Sequence, residues 1–390
     1  MTTATGHDRE SIREKLAHVL PVVEEHRGAG EADRRLPDPI VRALREAELF
    51  TLWAPREFGG HEVELPAFMA AVEEIARVDG ATGWTFANLA TGAVLAAHAP
   101  SDGAKELYAG GPNVTFPGSV IPRGRAIPVE GGYRLTGRWP LGSGCHHADW
   151  ISSTALIFDG DAPRMGPDGA PDLHAMFVRP SEVEVLDTWH SLGLRGTGST
   201  DFAVEDAFVP ARRTFPLFTQ QPQVAGPLYR LGILPLYSMS LTSVLLGIAR
   251  AAIDAFVEIA KGKTPTLSQT GLATRSTIHA EVARAEAMLQ STSAYLYAVA
   301  RDLMDSVTNS GAVPDDLEAR RRLACAHAGT TCPRVVEMMF ALAGTTPIYQ
   351  GSPLEQIMRD IHTASQHLVV SPVWWEKTGQ YYFGLGLGMP

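Results

Sequence analysis

From residue 8 to residue 100 apolar residues recur every three or four positions, as in "IREKLAHVLPVVEEH" and "PDPIVRALREAEL", and this period predicts helices. Pro37 and Pro39 fall at a helix start, where proline is tolerated. The stretch "WAPREFGGHEVEL" (53–65) reads as a loop punctuated by glycine and proline, and residues 65–100 read as two helices broken near Asp79-Gly80. Near Pro112 the period shortens to two. "YRLTGRWPL", "DWISSTALIF", "LHAMFVRP" and "STDFAVEDAFVP" are short, alternating and β-branched, which predicts strands, with "DGDAPRMGPDGAPD" (159–172) as a hairpin loop. From residue 226 the helical period returns, with long helices expected over 235–261, 272–307, 316–343 and 353–378.

The pattern therefore predicts a mainly α protein with a small β domain: helices over 1–112, a small antiparallel β-barrel or sandwich over 113–225, and an up-down four-helix bundle over 226–390. A chain of 390 residues is longer than one ordinary core takes, which fits several packed units.

Composition sharpens this picture in three respects. Apolar residues at 45% and charged residues at 19% are those of a soluble globular protein. A net charge of −10 argues against nucleic acid and against anionic membrane surfaces as partners. Three cysteines (Cys145, Cys325, Cys332) are too few for a disulfide framework and suit a reducing, cytoplasmic setting. The start "MTTATGHDRE" lacks the apolar stretch of a signal peptide. Residues 231–249 form 19 positions without a charge, just enough to span a bilayer, but Pro235 and four hydroxyl residues point instead to a buried helix.

The most reactive-looking stretch is "RWPLGSGCHHADW" (138–150). On a strand, alternation would put Cys145, His147 and Asp149 on one face. Zinc usually draws its ligands from two separated clusters, and nothing ties this one to Cys325 and Cys332, so no metal site is expected. No G-x-G-x-x-G opens a helix after a strand, and neither a P-loop nor a G-x-S-x-G elbow is present. The glycine-rich "LGLRGTGSTDF" (192–202) leads into a strand. His362 and His367 stand five apart near a helix end, where each alone reads as a surface or capping residue.

Taken in order, four segments carry more information than any one of them. "LPDPIVRALREAELFTLWAPREFGG" with "ARVDGATGW", then "GRWPLGSGCHHADWI", then "LGLRGTGSTDFAVEDAFVP", then "ALAGTTPIYQGSPLEQIMRDIHTASQH" resemble the successive signatures of the acyl-CoA dehydrogenase-fold superfamily. Within it the chain most resembles the two-component flavin-dependent monooxygenases. That resemblance implies a reduced flavin cofactor (FMNH2 or FADH2), O2 as co-substrate, a separate NAD(P)H-flavin reductase as partner, a homotetramer, and a small aromatic, polycyclic or amine-bearing substrate oxygenated at carbon or nitrogen.

It also implies roles for residues. Ser143 would sit beside flavin N5, with Trp139 and Leu141 against the ring. Ser119 would form the other wall, near flavin or substrate. Trp84 and Asn88 would line the substrate pocket. Gly344, Thr345 and Thr346 of "AGTTP" would approach the cofactor, from a neighbouring subunit, and Lys263, Lys261 and Arg275 are candidate phosphate-binding cations. His367 stands where the monooxygenases carry a histidine, and would hydrogen-bond the activated oxygen or take a proton from a phenol-type substrate. A true acyl-CoA dehydrogenase needs a carboxylate base, in many members just after the "RD", but "RDIHTASQH" has no glutamate there. Where some members carry a substrate-binding histidine eight positions after the tryptophan, this chain has Gly92. A flavin dehydrogenase acting on acyl thioesters, and a non-catalytic helical binding protein, remain the alternatives at this point.

Overall fold

The computed structural model describes residues 4–166 and 169–388. Pro167 and Asp168 of the expected hairpin loop, and the first three residues of the N-terminal start, lie outside it. The N-terminal helices are α1 (Ala4–Glu25), α2 (Gly30–Asp33), α3 (Asp38–Glu46), α4 (Leu65–Val78), α5 (Gly80–Ala96) and α6 (Ser101–Leu107). The break between α4 and α5 falls at Asp79, whose carboxylate caps α5 by accepting the Thr82 backbone N–H at 2.8 Å. Every residue of α5 is buried, as its unbroken small and apolar composition requires.

Eight strands follow: β1 (Gly118–Val129), β2 (Gly132–Gly142), β3 (Ile151–Asp159), β4 (Ala162–Pro163), β5 (Leu173–Val178), β6 (Glu184–Val185), β7 (Thr200–Pro210) and β8 (Thr214–Pro216). They form one sheet in the order β6-β7-β2-β1-β3-β5-β8, with β4 paired to β3. All pairings are antiparallel except β1–β3, which is parallel. The expectation of a wholly antiparallel sheet fails at this one pairing. The hairpin β1–β2 uses one edge of β1, and the chain returns through the turn at Cys145–His147 to use the other edge in the same direction. Inward residues from five strands, among them Leu135, Trp139, Ile157, Met176 and Phe202, close a core of their own.

The C-terminal helices are α7 (Ile233–Gly262), α8 (Ser276–Asn309), α9 (Asp315–Leu342), α10 (Pro353–Ala364) and α11 (Val373–Tyr382). The single helix expected over 353–378 is broken: Ser365 caps α10, and His367 takes an extended conformation (φ −70°, ψ 142°) before a short 3-10 turn and Pro372. Proline disfavours helix in the residue before it, so the chain restarts only at Val373. The uncharged stretch 231–249 becomes the buried first half of α7, and its apolar residues share one continuous core with α1, α4, α5, α8, α9 and α10. Among the described residues no helix is long and apolar enough to cross a membrane.

Candidate functional site

The sheet meets the helices at a sharp turn. Leu141, the penultimate residue of β2, has φ +63°, and its carbonyl accepts the Ser143 backbone N–H at 2.9 Å. A positive φ is uncommon for a leucine and costs strain that the surroundings must hold. Here it reverses the strand's alternation. Trp139 points into the sheet core and is fully buried, whereas Leu141, two residues on, is 47% exposed. Ser143 then faces α5, where its Oγ accepts the indole N–H of Trp84 at 3.2 Å.

Trp84, Leu141 and Ser143 line a cavity of about 330 Å³ together with Trp189, Leu192, Leu194, Ser199, Tyr237, His362, Thr363, Gln366 and His367. That volume lies within the range of small-molecule sites. His367 projects from the break after α10. Its ring meets Trp84 edge-on, with centroids 5.4 Å apart, and Tyr237 of α7 at 5.8 Å. The Val369 N–H donates to His367 Nδ1 at 3.3 Å, so the neutral imidazole carries its proton on Nε2. Burial lowers the His367 pKa to about 4, so the ring is neutral at ordinary pH. A neutral imidazole with Nδ1 occupied is a hydrogen-bond donor at Nε2. Of the two roles expected for His367 this geometry fits donation; a ring so weakly basic is poorly suited to taking a proton.

Among the described residues no Asp or Glu lines the cavity. The nearest candidate by sequence, Asp360, is buried on α10 but is turned away. Its Oδ1 accepts the Leu194 N–H at 2.5 Å, and it stands near Asp79. Thr363 Oγ1 accepts the Gly193 N–H at 2.9 Å, and Arg359 donates to the Leu192 carbonyl at 3.2 Å. Three residues of α10 thus clasp the 192–194 loop that walls the cavity. Gly193 is required there, because a Cβ would lie 2.1 Å from the Arg359 carbonyl oxygen.

Burial, reinforced by Asp79, raises the Asp360 pKa to about 8. A carboxyl raised above its unfolded value contributes stability at low pH that is lost as pH climbs toward the folded value. Asp360→Asn keeps an acceptor for Leu194 and does not titrate. It is expected to gain stability relative to wild type between about pH 5 and about pH 8, read from urea midpoints at the two values. A difference that does not change with pH would show that Asp360 is already ionised in the folded chain.

Asn88 and Ser119 line a second, smaller cavity of about 30 Å³ with Thr91, Gly92 and Phe116. Tyr237 borders both cavities, and its hydroxyl donates to Asn88 Oδ1 at 3.0 Å. Gly92 could carry no side chain, since a Cβ would lie 2.0 Å from the Phe116 carbonyl oxygen.

The remaining candidates lie elsewhere. Trp139 does not reach the cavity: it stacks on Phe202, with centroids 5.2 Å apart, and donates its indole N–H to the Thr154 carbonyl at 2.7 Å. Trp139, expected against the flavin ring, is therefore not among the side chains that line this cavity. Lys263, at the end of α7, donates to the Ala343 carbonyl (2.6 Å) and to Thr346 Oγ1 (2.7 Å), forming a cluster with Gly344, Thr345 and Thr346 that does not line this cavity within one chain. Lys261 pairs with Glu258 and Arg275 with Ser268. In the 145–149 segment Cys145 is buried in the sheet core, and Asp149 is held by Arg45 and Thr115. Among the described residues no three His, Cys, Asp or Glu side chains converge as a metal set.

Tyr237, Ser199, Leu194 and Trp189 were missed from the sequence. Ser199 and Leu194 lie in the third signature, but nothing in "LGLRGTGST" says which side chains turn inward, and Tyr237 sits in a stretch that reads only as core.

Comparison with known proteins gives the family of the chain. Family models described as "Acyl-CoA dehydrogenase, N-terminal domain" and "Acyl-CoA dehydrogenase, C-terminal domain" match residues 8–109 and 239–372. The chain is 32% identical to an indole-3-acetate monooxygenase of Pseudomonas putida, over 94% of this chain and 92% of that one. It is 29% identical to the flavin-dependent monooxygenase oxygenase subunit HsaA of Mycobacterium tuberculosis, over 100% and 99% of the two chains. The structure of XiaF from Streptomyces sp., in complex with FADH2 and glycerol, superposes with a TM-score of 0.92 at 27% identity, covering 99% of this chain and 98% of that one. The two family models and the likeness to these relatives over nearly the whole chain place it in the acyl-CoA dehydrogenase-fold superfamily, in its branch of two-component flavin-dependent monooxygenases.

Proposed function

We propose that this enzyme inserts one oxygen atom from O2 into a small aromatic substrate, at carbon or nitrogen, with reduced flavin supplied by a separate NAD(P)H-flavin reductase. The observation that carries this reading is the cavity itself. It offers a donor at His367 Nε2 and a hydroxyl at Ser143, but no carboxylate that could remove an α-proton from an acyl thioester. The residues suit a flavin: flat and branched apolar side chains (Trp189, Leu192, Leu194, Leu141) for the ring, and Ser143 for its N5 edge. When bound, reduced flavin supplies the two electrons that activate O2, so that one oxygen enters the substrate and the other leaves as water.

The chain's own residues then have separate tasks. Ser143 holds the N5 edge and is itself held by Trp84. Trp84 and Tyr237 fix the His367 ring from two sides, and its Nε2–H is aimed to hydrogen-bond oxygen at the reacting edge. The apolar walls keep water out, which protects activated oxygen from loss as peroxide. Asn88, Thr91 and Ser119 in the smaller cavity are suited to the polar group of an aromatic substrate. In a homotetramer, Gly344, Thr345, Thr346 and Lys263 would reach the flavin of a neighbouring subunit, with the Lys263 ammonium toward its phosphate. The three free cysteines, all buried, suit a cytoplasmic enzyme.

The test is stopped-flow absorbance. Protein loaded anaerobically with reduced FMN or FAD is mixed with oxygenated buffer. A transient spectrum distinct from oxidised flavin, followed with an indole or phenol by a product heavier by one oxygen, is expected. Reoxidation with the rate and spectrum of free flavin would overturn the reading.

A further inference from the structure

Along the cavity wall four side chains and one carbonyl form an unbroken hydrogen-bonded line. Trp84 Nε1–H donates to Ser143 Oγ at 3.2 Å. Ser143 Oγ lies 2.6 Å from Ser199 Oγ, and Ser199 Oγ lies 2.6 Å from Thr197 Oγ1. Thr197 Oγ1 donates to the Leu194 carbonyl at 2.8 Å. All three hydroxyl residues are buried, Thr197 being 1% exposed. The far end is anchored, because the Leu194 carbonyl also accepts the Trp189 indole N–H and its backbone N–H is held by Asp360.

The carbonyl end determines the sense of the line. An indole N–H can only donate, a carbonyl can only accept, and each hydroxyl has one proton. One arrangement alone satisfies every link: Ser143 gives its proton to Ser199, Ser199 to Thr197, and Thr197 to Leu194. In that arrangement Ser143 has no proton left for the cavity and presents a lone pair to it. Turning the Ser143 proton toward the cavity breaks one link, either at Ser199 or at the Leu194 carbonyl, which keeps the Thr197 backbone and Trp189 indole N–H groups as donors; either way the line has one hydrogen bond fewer.

Flavin N5 changes character with redox state. In the oxidised ring it is a bare acceptor; in the reduced ring it carries hydrogen and donates. A lone pair at Ser143 matches the second and not the first. We infer that this line of hydroxyls makes the site favour reduced over oxidised flavin, with Ser199 and Thr197 as positioning residues that act through Ser143. The inference rests on the reading above that Ser143 meets the N5 edge. It gives a physical reason for an oxygenase to accept the reduced carrier from its reductase and to release the oxidised one.

The experiment compares dissociation constants for oxidised and anaerobically reduced FMN and FAD in wild type, Ser199→Ala, Thr197→Val and Ser143→Ala. Ser199→Ala frees the Ser143 proton to face the cavity, and Thr197→Val lets Ser199 donate back to Ser143. Both are expected to tighten oxidised flavin by about three- to tenfold, the worth of one hydrogen bond, with reduced flavin little changed. Ser143→Ala is expected to weaken reduced flavin. If Ser143→Ala weakens reduced flavin but both other variants keep the wild-type ratio of affinities within about twofold, the inference is overturned and the placement of Ser143 stands. If Ser143→Ala leaves reduced flavin untouched, the placement fails and the inference falls with it.

Discussion

Replacing His367 by alanine is expected to lower the rate of product formation by about 10²-fold or more, the usual scale for losing a positioned donor in a dry site. Flavin oxidation by O2 should continue, with hydrogen peroxide replacing product. The reason is local. His367 Nε2–H is the donor that the Val369 contact leaves free, and Trp84 and Tyr237 fix where it points. Glutamine, which can place an N–H in the same region, should recover part of the coupling. The pH profile gives an independent check. With a pKa of about 4, the imidazole stays neutral through the range where an ordinary histidine titrates. Product yield from the wild type should therefore show no acid limb near pH 6.5, and a fall attributable to this ring should appear only below about pH 5. Turnover within threefold of wild type in His367→Ala would remove the donor role.

A second large effect is expected at a residue with no chemistry. Gly92→Ala should destabilise the chain by about 3 kcal/mol or more. The added Cβ would lie 2.0 Å from the Phe116 carbonyl oxygen and 2.4 Å from Phe116 Cβ. Relief is blocked on both sides. Every residue of α5 is buried, and the Phe116 N–H is held by the Leu89 carbonyl at 3.3 Å. Separation of α5 from the segment before β1 would also open the cavity shared by Asn88 and Ser119. A drop in Tm of several degrees, with loss of soluble protein, is the expected result; an alanine variant as stable as wild type would mean that α5 can shift freely. The same contact explains why this chain cannot place a substrate-binding histidine eight positions after Trp84. On the function proposed above, recognition of a polar substrate group would fall instead to Asn88, Thr91 and Ser119, which line the same space.

Much of this was legible in the sequence. The change of hydrophobic period at residues 112 and 226 located the helical and strand segments, because period 3.6 and period 2 are imposed by backbone geometry alone. The order of the four signatures carried Trp84, Ser143 and His367, and these three now line one cavity. The absence of glutamate after "RD" was also a fact of sequence.

Tertiary structure decided what local pattern could not. Alternation along β2 puts Trp139 and Leu141 on one face, and Trp139 lies in the sheet core, but a positive φ at Leu141 turns the leucine out to the cavity. An apolar run reads as one helix to residue 378, yet the break after Ala364 is what turns His367 between Trp84 and Tyr237. The parallel pairing of β1 with β3 depends on which edge of β1 the hairpin leaves open. The hydroxyl line from Trp84 to Leu194 joins residues up to 115 positions apart, through partners that share no period and no motif spacing. Local sequence determined the elements, because each element's preference is settled by near neighbours; only the folded chain could determine the site, because its hydrogen bonds run between elements.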